Sequence, residues 1–292
     1  MSNSCLRFAV EMLLMTANPE GEAYFRTTHF HKMMFLLYQR LRKKHLDLKL
    51  PYCWYHYGPY MEAMEFERQV GVPLTYYAPL EGPTIAITDI SRGDVSARDA
   101  ALIEIEVRKI VNKYKENDRY KFDYINDLLD DAYAYAPFKF QIAFNRDFIK
   151  ALGRFRTYDI SKEEVEFHLD RLVKIYPRDE MNELYDVFLE WDDTIRLALI
   201  YGNSLDVSDL AAKYWSIFTE ELRIKKNENI SENIKRNWSD MFPTKCWEYL
   251  EDLETRRNNL LRIHMKKHES NDEVKKIVAC MNNLAYQLST KR

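Results

Sequence analysis

Apolar residues recur at helical spacing along most of the chain. Leu6, Ala9, Val10, Leu13 and Leu14 predict a first helix over residues 5–17, stopped by Asn18-Pro19. Thr27 and Thr28 stand where they can cap a second helix. Its apolar face is Phe30, Met33, Met34, Leu37, Tyr38 and Leu41, and its end carries Arg40, Arg42, Lys43 and Lys44. An aromatic segment, PYCWYHY, reads as a short strand, and Gly58-Pro59 turns the chain into a third helix from about Met61. The runs LTYYAP and TIAITDI, separated by LEGP, predict a β-hairpin. A long helix follows from Ser96, a short one ends at Pro137, and IAFNRDFIKAL is a weak helix or connector. Ser161 caps KEEVEFHLDRLVKIY, which ends at Pro177.

Three long helical stretches, over residues 180–199, 207–225 and 230–268, predict a helical bundle, the last interrupted at Pro243. A final helix is expected over residues 271–288, and ELRIKKNENISENIK is polar enough to read as a mobile loop. The fold class is therefore mainly α with a small β-wing. Residues 1–150 form a winged-helix module, 151–178 a connecting helix and 179–292 a bundle.

Composition narrows the function classes. The 292 residues carry 43 Lys and Arg against 46 Asp and Glu, a net charge of -3, so nucleic acid or an anionic membrane would have to be met by a local patch. The four cysteines are far apart and form no CxxC pair, which predicts reduced core residues in a cytoplasmic protein. The amino-terminal apolar run contains Glu11 and no cleavage signal, and no run is long enough to span a membrane. P-loop, GxGxxG, GxSxG and HExxH motifs are absent, so no cofactor or metal is expected. His29 and His31 point to different faces of a helix, and in EWDDTIR the arginine Arg196 is placed to pair with Asp192.

KMMFLLYQRLRKKHLDLKLPYCWYHYGPYMEAMEFER, with Tyr57-Gly58-Pro59-Tyr60 as its most specific part, resembles the winged-helix module of the prokaryotic SocA-like and YwgA-like (Panacea-type) proteins. INDLLDDAYAYAP resembles the segment that follows the wing there, and Met61 stands where those families usually have Ser. The resemblance covers about the first 150 residues and implies a toxin-antitoxin or phage-defence setting. A winged helix that binds DNA would use Arg40, Arg42, Lys43 and Lys44, with Arg68, on phosphates. The expected wing, however, carries Glu81 and no Lys or Arg.

Near the carboxyl end, ETRRNNLLRIH spells R-N-x5-H through Arg257, Asn258 and His264. It is similar to the R-x(4–6)-H motif of the HEPN superfamily, helical bundles that include metal-independent ribonucleases; Glu254 and Asn258 also fit that pattern. The chemistry is intelligible without the family. His moves protons at neutral pH, Arg meets phosphorane charge through paired donors, and seven residues of helix leave the two on nearly one face, about 10 Å apart along the axis. Arg256 and Arg262 would add charge for a nucleic-acid backbone. One chain offers one such His, so a homodimer is implied.

Two alternatives stay open. The basic residues also suit a helix carboxyl end through the macrodipole, and Arg262 with His268 satisfies the same spacing. The sequence thus supports a dimeric endoribonuclease acting on RNA, or a winged-helix regulator or antitoxin-like adaptor that meets DNA or a partner protein encoded nearby. No membrane partner is expected.

Overall fold

The computed structural model describes residues 3–21, 24–114 and 125–269. The chain is mainly helical, with one small antiparallel sheet. The helix expected over residues 271–288 lies outside the described residues. The chain divides into two compact units, one made of residues 1–142 and 218–242, the other of 143–217 and 243–292. The division differs from one at residues 150 and 179, because a segment late in the chain returns to the first unit.

The first unit is organised around α2 (Thr27–Arg42). Helices α1 (Ser4–Ala17), α5 (Ala97–Tyr114) and α6 (Ile125–Tyr133) pack with it. Every residue of α2 from His29 to Tyr38 is buried, as is Leu41. A helix covered on all sides must satisfy its polar side chains internally. His29 Nδ1 accepts from Arg26 N at 3.3 Å, His31 Nδ1 accepts from Met61 N at 3.1 Å, and Lys32 Nζ donates to the Pro59 carbonyl at 2.8 Å. The two histidines are thereby structural, and among the described residues no group of metal-ligating side chains gathers.

The sheet has the order β2-β1-β3, with β1 Tyr52–Tyr55, β2 Gly58–Met61 and β3 Asn227–Glu228, both pairings antiparallel. The hairpin is thus YCWYHYGPYM, and the turn through His56 and Tyr57 closes on Gly58 at φ 95°. That backbone region favours glycine, and a Cβ there would lie 3.5 Å from Tyr133 and 3.7 Å from the Lys32 stem. The third helix, α3 (Ala63–Val70), starts after this strand, with Glu62 accepting from Glu65 N as its cap.

The hairpin expected over LTYYAP and TIAITDI is not formed. Leu74–Tyr77 is instead a short helix, α4, entered from Pro73. Residues 84–90 form no ladder: Asn18 Nδ2 bonds the Thr84 carbonyl at 3.0 Å, and Thr84 N bonds Phe25 O at 3.0 Å. Backbone groups that a ladder would use are taken instead by the Asn18 side chain and by the Phe25 and Tyr77 carbonyls, and Pro79 and Pro83 remove donors a ladder needs.

The segment read as a mobile loop supplies the third strand. Its Glu228 accepts from Tyr38 Oη at 2.8 Å, Tyr52 Oη at 2.9 Å and Arg42 Nη1 at 2.9 Å. Asn229, at φ 55°, donates from Nδ2 to Leu50 O at 3.0 Å.

After α7 (Lys139–Ile142), the second unit begins with a π-helical turn, Ala143–Phe148, which runs into α8 (Ile149–Arg156). It continues through α9 (Lys162–Ile175), capped by Ser161 as expected, and α10 (Tyr185–Tyr201). Its aromatic core stacks Trp191 on Tyr214 with centroids 4.5 Å apart and Phe144 on Trp215 at 5.0 Å, and Trp191 Nε1 donates to Leu210 O. Helix α11 (Ser204–Lys225) spans the first unit boundary and α12 (Glu232–Glu269) the second. Pro243 does not interrupt α12; it costs the helix one backbone donor, and the unit boundary falls there.

The acceptor shared by Tyr38, Tyr52 and Arg42 should matter for stability. Glu228→Ala leaves three donors without their carboxylate and is expected to destabilise the protein by about 1–3 kcal/mol. Urea denaturation of the variant beside wild type checks this; an unchanged midpoint would show that water replaces the carboxylate at no cost.

Candidate functional site

Arg257 and His264 lie on α12, and both turn toward α10. Arg257 Nη1 is ion-paired with Glu190, and the His264 ring sits 4.5 Å from the Tyr201 ring, inclined at 52°. Glu254 and Asn258 are exposed, as is Arg262. Arg256 is on another side of the helix, 2.7 Å from Asp209 and 2.9 Å from Asp252. The sequence-based group thus separates. Arg257 and His264 share a flank, Glu254 and Asn258 stand beside it in solvent, and Arg256 is engaged in an ion-pair network. The second match to R-x(4–6)-H, Arg262 with His268, rests on a side chain outside those described.

The pair on α12 is chemically usable but not unencumbered. An arginine has five N–H donors, so one carboxylate does not exhaust it, yet a phosphate would share its charge with Glu190. Beside the pair runs an exposed apolar stripe of Trp247, Leu250, Leu261 and Met265, interrupted by Glu254 and Asn258. These six positions recur at helical spacing on one side of α12.

The basic end of α2 is differently placed from what a phosphate contact would need. Buried Glu106 on α5 takes Lys44 at 2.7 Å, Lys109 at 2.9 Å and Arg40 at 3.9 Å. Burial alone would raise the Glu106 carboxyl, but hydrogen bonds from Lys44 and Lys109 outweigh it and hold the group below the usual range. Arg42 is held by Glu228, and the Lys43 amine lies 5.4 Å over the Tyr135 ring. Arg68 pairs with Glu65. The positive charge that the sequence displays as a cluster is therefore largely met by carboxylates within the unit. The smaller acidic cluster behaves as expected: Arg196 lies 2.9 Å from Asp192 and 2.9 Å from Asp170.

A third feature was not singled out by motif. A cavity of about 450 Å³ opens in the first unit beside the YHYGPY hairpin, lined by Thr27, Thr28, His31, Lys32, Tyr55, Tyr57, Tyr60, Glu62, Arg223 and Trp238 among others. Burial drives Lys32 from its ordinary 10.5 down to about 7, and burial together with the neighbouring Lys32 drives His31 to about 3. The signal in the sequence was a lone lysine inside the apolar run FHKMMFLL. Arg223 and Trp238 carried no signal, since they reach the cavity from segments more than 150 residues away in the chain.

Compared with family models, with curated proteins and with solved structures, the chain gives no match.

The depressed Lys32 value fixes a pH dependence. Between about pH 7 and 10.5 the unfolded chain keeps the Lys32 proton that the folded chain has lost, so stability at this site rises with pH there and is lowest below pH 7. Lys32→Met removes this slope, which reaches at most about 1.4 kcal/mol per pH unit. The variant should exceed wild type in stability at pH 6, with the difference shrinking toward pH 9. Denaturation midpoints at the two pH values measure it; a constant difference would mean that Lys32 stays charged when folded.

Proposed function

We propose that the second unit is a metal-independent endoribonuclease of HEPN type, working as a homodimer, and that the first unit is its recognition module in a toxin-antitoxin or phage-defence setting. The observation that carries this reading is the placement of Arg257 and His264 on one flank of an unbroken helix, each braced against α10. Cleavage proceeds by attack of the ribose 2′-hydroxyl on the adjacent phosphorus. One His takes the hydroxyl proton, the guanidinium meets the added charge on the phosphorane, and a second His gives a proton to the departing 5′-oxygen. The products are a 2′,3′-cyclic phosphate and a free 5′-hydroxyl.

Two histidines are needed and the motif supplies one per chain. A second copy packed along the stripe of Trp247, Leu250, Leu261 and Met265 would set the two Arg–His flanks near one another and bury apolar surface that is otherwise wet. Glu190 then acts as a positioning residue that aims the guanidinium.

A second reading is favoured by the neutralised carboxyl end of α2 and by the cavity at the opposite end of that helix. In that reading the chain is an adaptor or antitoxin-like protein whose first unit binds a partner molecule while the bundle is inactive. Duplex DNA is the weaker partner on this account, because Arg40, Arg42 and Lys44 would have to leave Glu106 and Glu228 to reach phosphates.

RNA incubated with the full chain in EDTA should be cut to fragments ending in 2′,3′-cyclic phosphate, and His264→Ala should lower the rate about 100-fold or more. Met265→Asp should lower the rate and shift the mass in light scattering from dimer to monomer. Cleavage by His264→Ala at the wild-type rate would remove His264 from the chemistry. Absence of cleavage by the wild-type chain would leave the adaptor reading.

A further inference from the structure

Lys32 is 3% exposed and lines the cavity, yet among the described residues its only hydrogen-bond partner is the neutral Pro59 carbonyl at 2.8 Å. Among the described residues no carboxylate is within ion-pair distance of it. The contrast with the rest of the unit is sharp, since Arg40, Arg42, Lys44, Lys109 and Arg68 all meet carboxylates. Burying an ammonium without an anion is costly, so the site either sheds a proton or receives a negative charge from outside.

The surroundings favour the second outcome. Thr27 and Thr28, in the first turn of the sixteen-residue α2, line the same cavity, so the positive end of that helix adds to the field. Arg223 lines it too. Its guanidinium lies 5.0 Å from the ring centroids of both Tyr55 and Trp238 and pairs with Glu220 at 2.5 Å, while its Nε is buried with no acceptor among the described residues. The walls are largely aromatic, and Tyr57 is 75% exposed at the hairpin turn. A volume of about 450 Å³ is in the range that encloses a small organic molecule.

We propose that this cavity binds a small planar monoanion, an aromatic or heteroaromatic carboxylate, with the carboxylate at Lys32 and the ring against the Tyr57 and Trp238 walls. One unbalanced cation calls for one negative charge. A dianionic phosphate would bring a second charge with no partner, because Arg223 is already balanced by Glu220. The flat aromatic walls select a ring over an aliphatic chain. Binding restores the Lys32 proton, so it takes up a proton above neutral pH and strengthens as pH falls from 8.5 to 6.5. The titratable groups that share the cavity with Lys32 are His31, Cys53, Tyr55, His56, Tyr57, Tyr60, Glu62 and Arg223. Burial keeps His31 neutral and pushes the Cys53 thiol up to about 12, so neither changes charge in that interval. His56 is separated from Lys32 by the variant below.

The test is isothermal titration of the full chain with indole-3-carboxylate, its neutral analogue indole-3-carboxamide, and phenyl phosphate. The carboxylate should bind, at least tenfold more tightly than the carboxamide, with proton uptake at pH 8 read from buffers of different ionisation enthalpy. Lys32→Met should abolish both the preference and the proton uptake, and Tyr57→Ser, which leaves the buried helix untouched, should weaken binding about two- to tenfold. Equal affinity for the carboxamide, unchanged proton uptake in Lys32→Met, tighter binding of phenyl phosphate, or no binding of the carboxylate would each overturn the proposal.

Discussion

Helix α2 is buried on every side, and much of the first unit follows from that constraint. A sixteen-residue helix carrying two histidines and a lysine in its covered portion cannot leave them to water. The YHYGPYM hairpin supplies the missing partners, the Met61 amide to His31 and the Pro59 carbonyl to Lys32. The hairpin can come that close because Gly58 has no Cβ and takes a positive φ. The two motifs of the amino-terminal resemblance, the KMMFLL helix and the YGPY turn, are thus two halves of one contact. The cavity is what remains where that contact does not close.

Carboxylates then decide which basic residues have charge to offer. Glu106 gathers Lys44, Lys109 and Arg40, and Glu228 takes Arg42 with two tyrosine hydroxyls. Pairs of this kind near the surface contribute modestly to stability, but they lower the local potential that would draw a phosphate. The same accounting applies to Arg257, which keeps donors to spare beyond Glu190, and to Arg256, which is divided between Asp209 and Asp252. Lys32 differs from all of these because the chain gives it a carbonyl and no anion.

Much of the helical layout was legible from local pattern. Asn18-Pro19, Ser96, Ser161 and Pro177 act within a few residues of themselves, and the helices they bound are where they were expected. The hairpin was placed wrongly because LTYY and TIAITDI have strand-like composition but their backbone groups found Asn18, Phe25 and Tyr77 instead. The segment around Glu228 was misread in the opposite sense. Its polarity suggested solvent, whereas its function in the fold is to accept hydrogen bonds from residues about 180 positions earlier.

The sequence by itself determined the helical content, the caps and the seven-residue spacing of Arg257 and His264, because each depends on dihedral preferences and periodicity within a few turns of chain. Only the tertiary structure decided that Arg257 meets Glu190, that His264 lies on Tyr201, that the basic end of α2 is neutralised and that Lys32 faces a cavity. Each of these depends on which distant carboxylate, ring or carbonyl arrives beside a side chain. Long-range packing sets that arrangement, and local pattern carries no record of it.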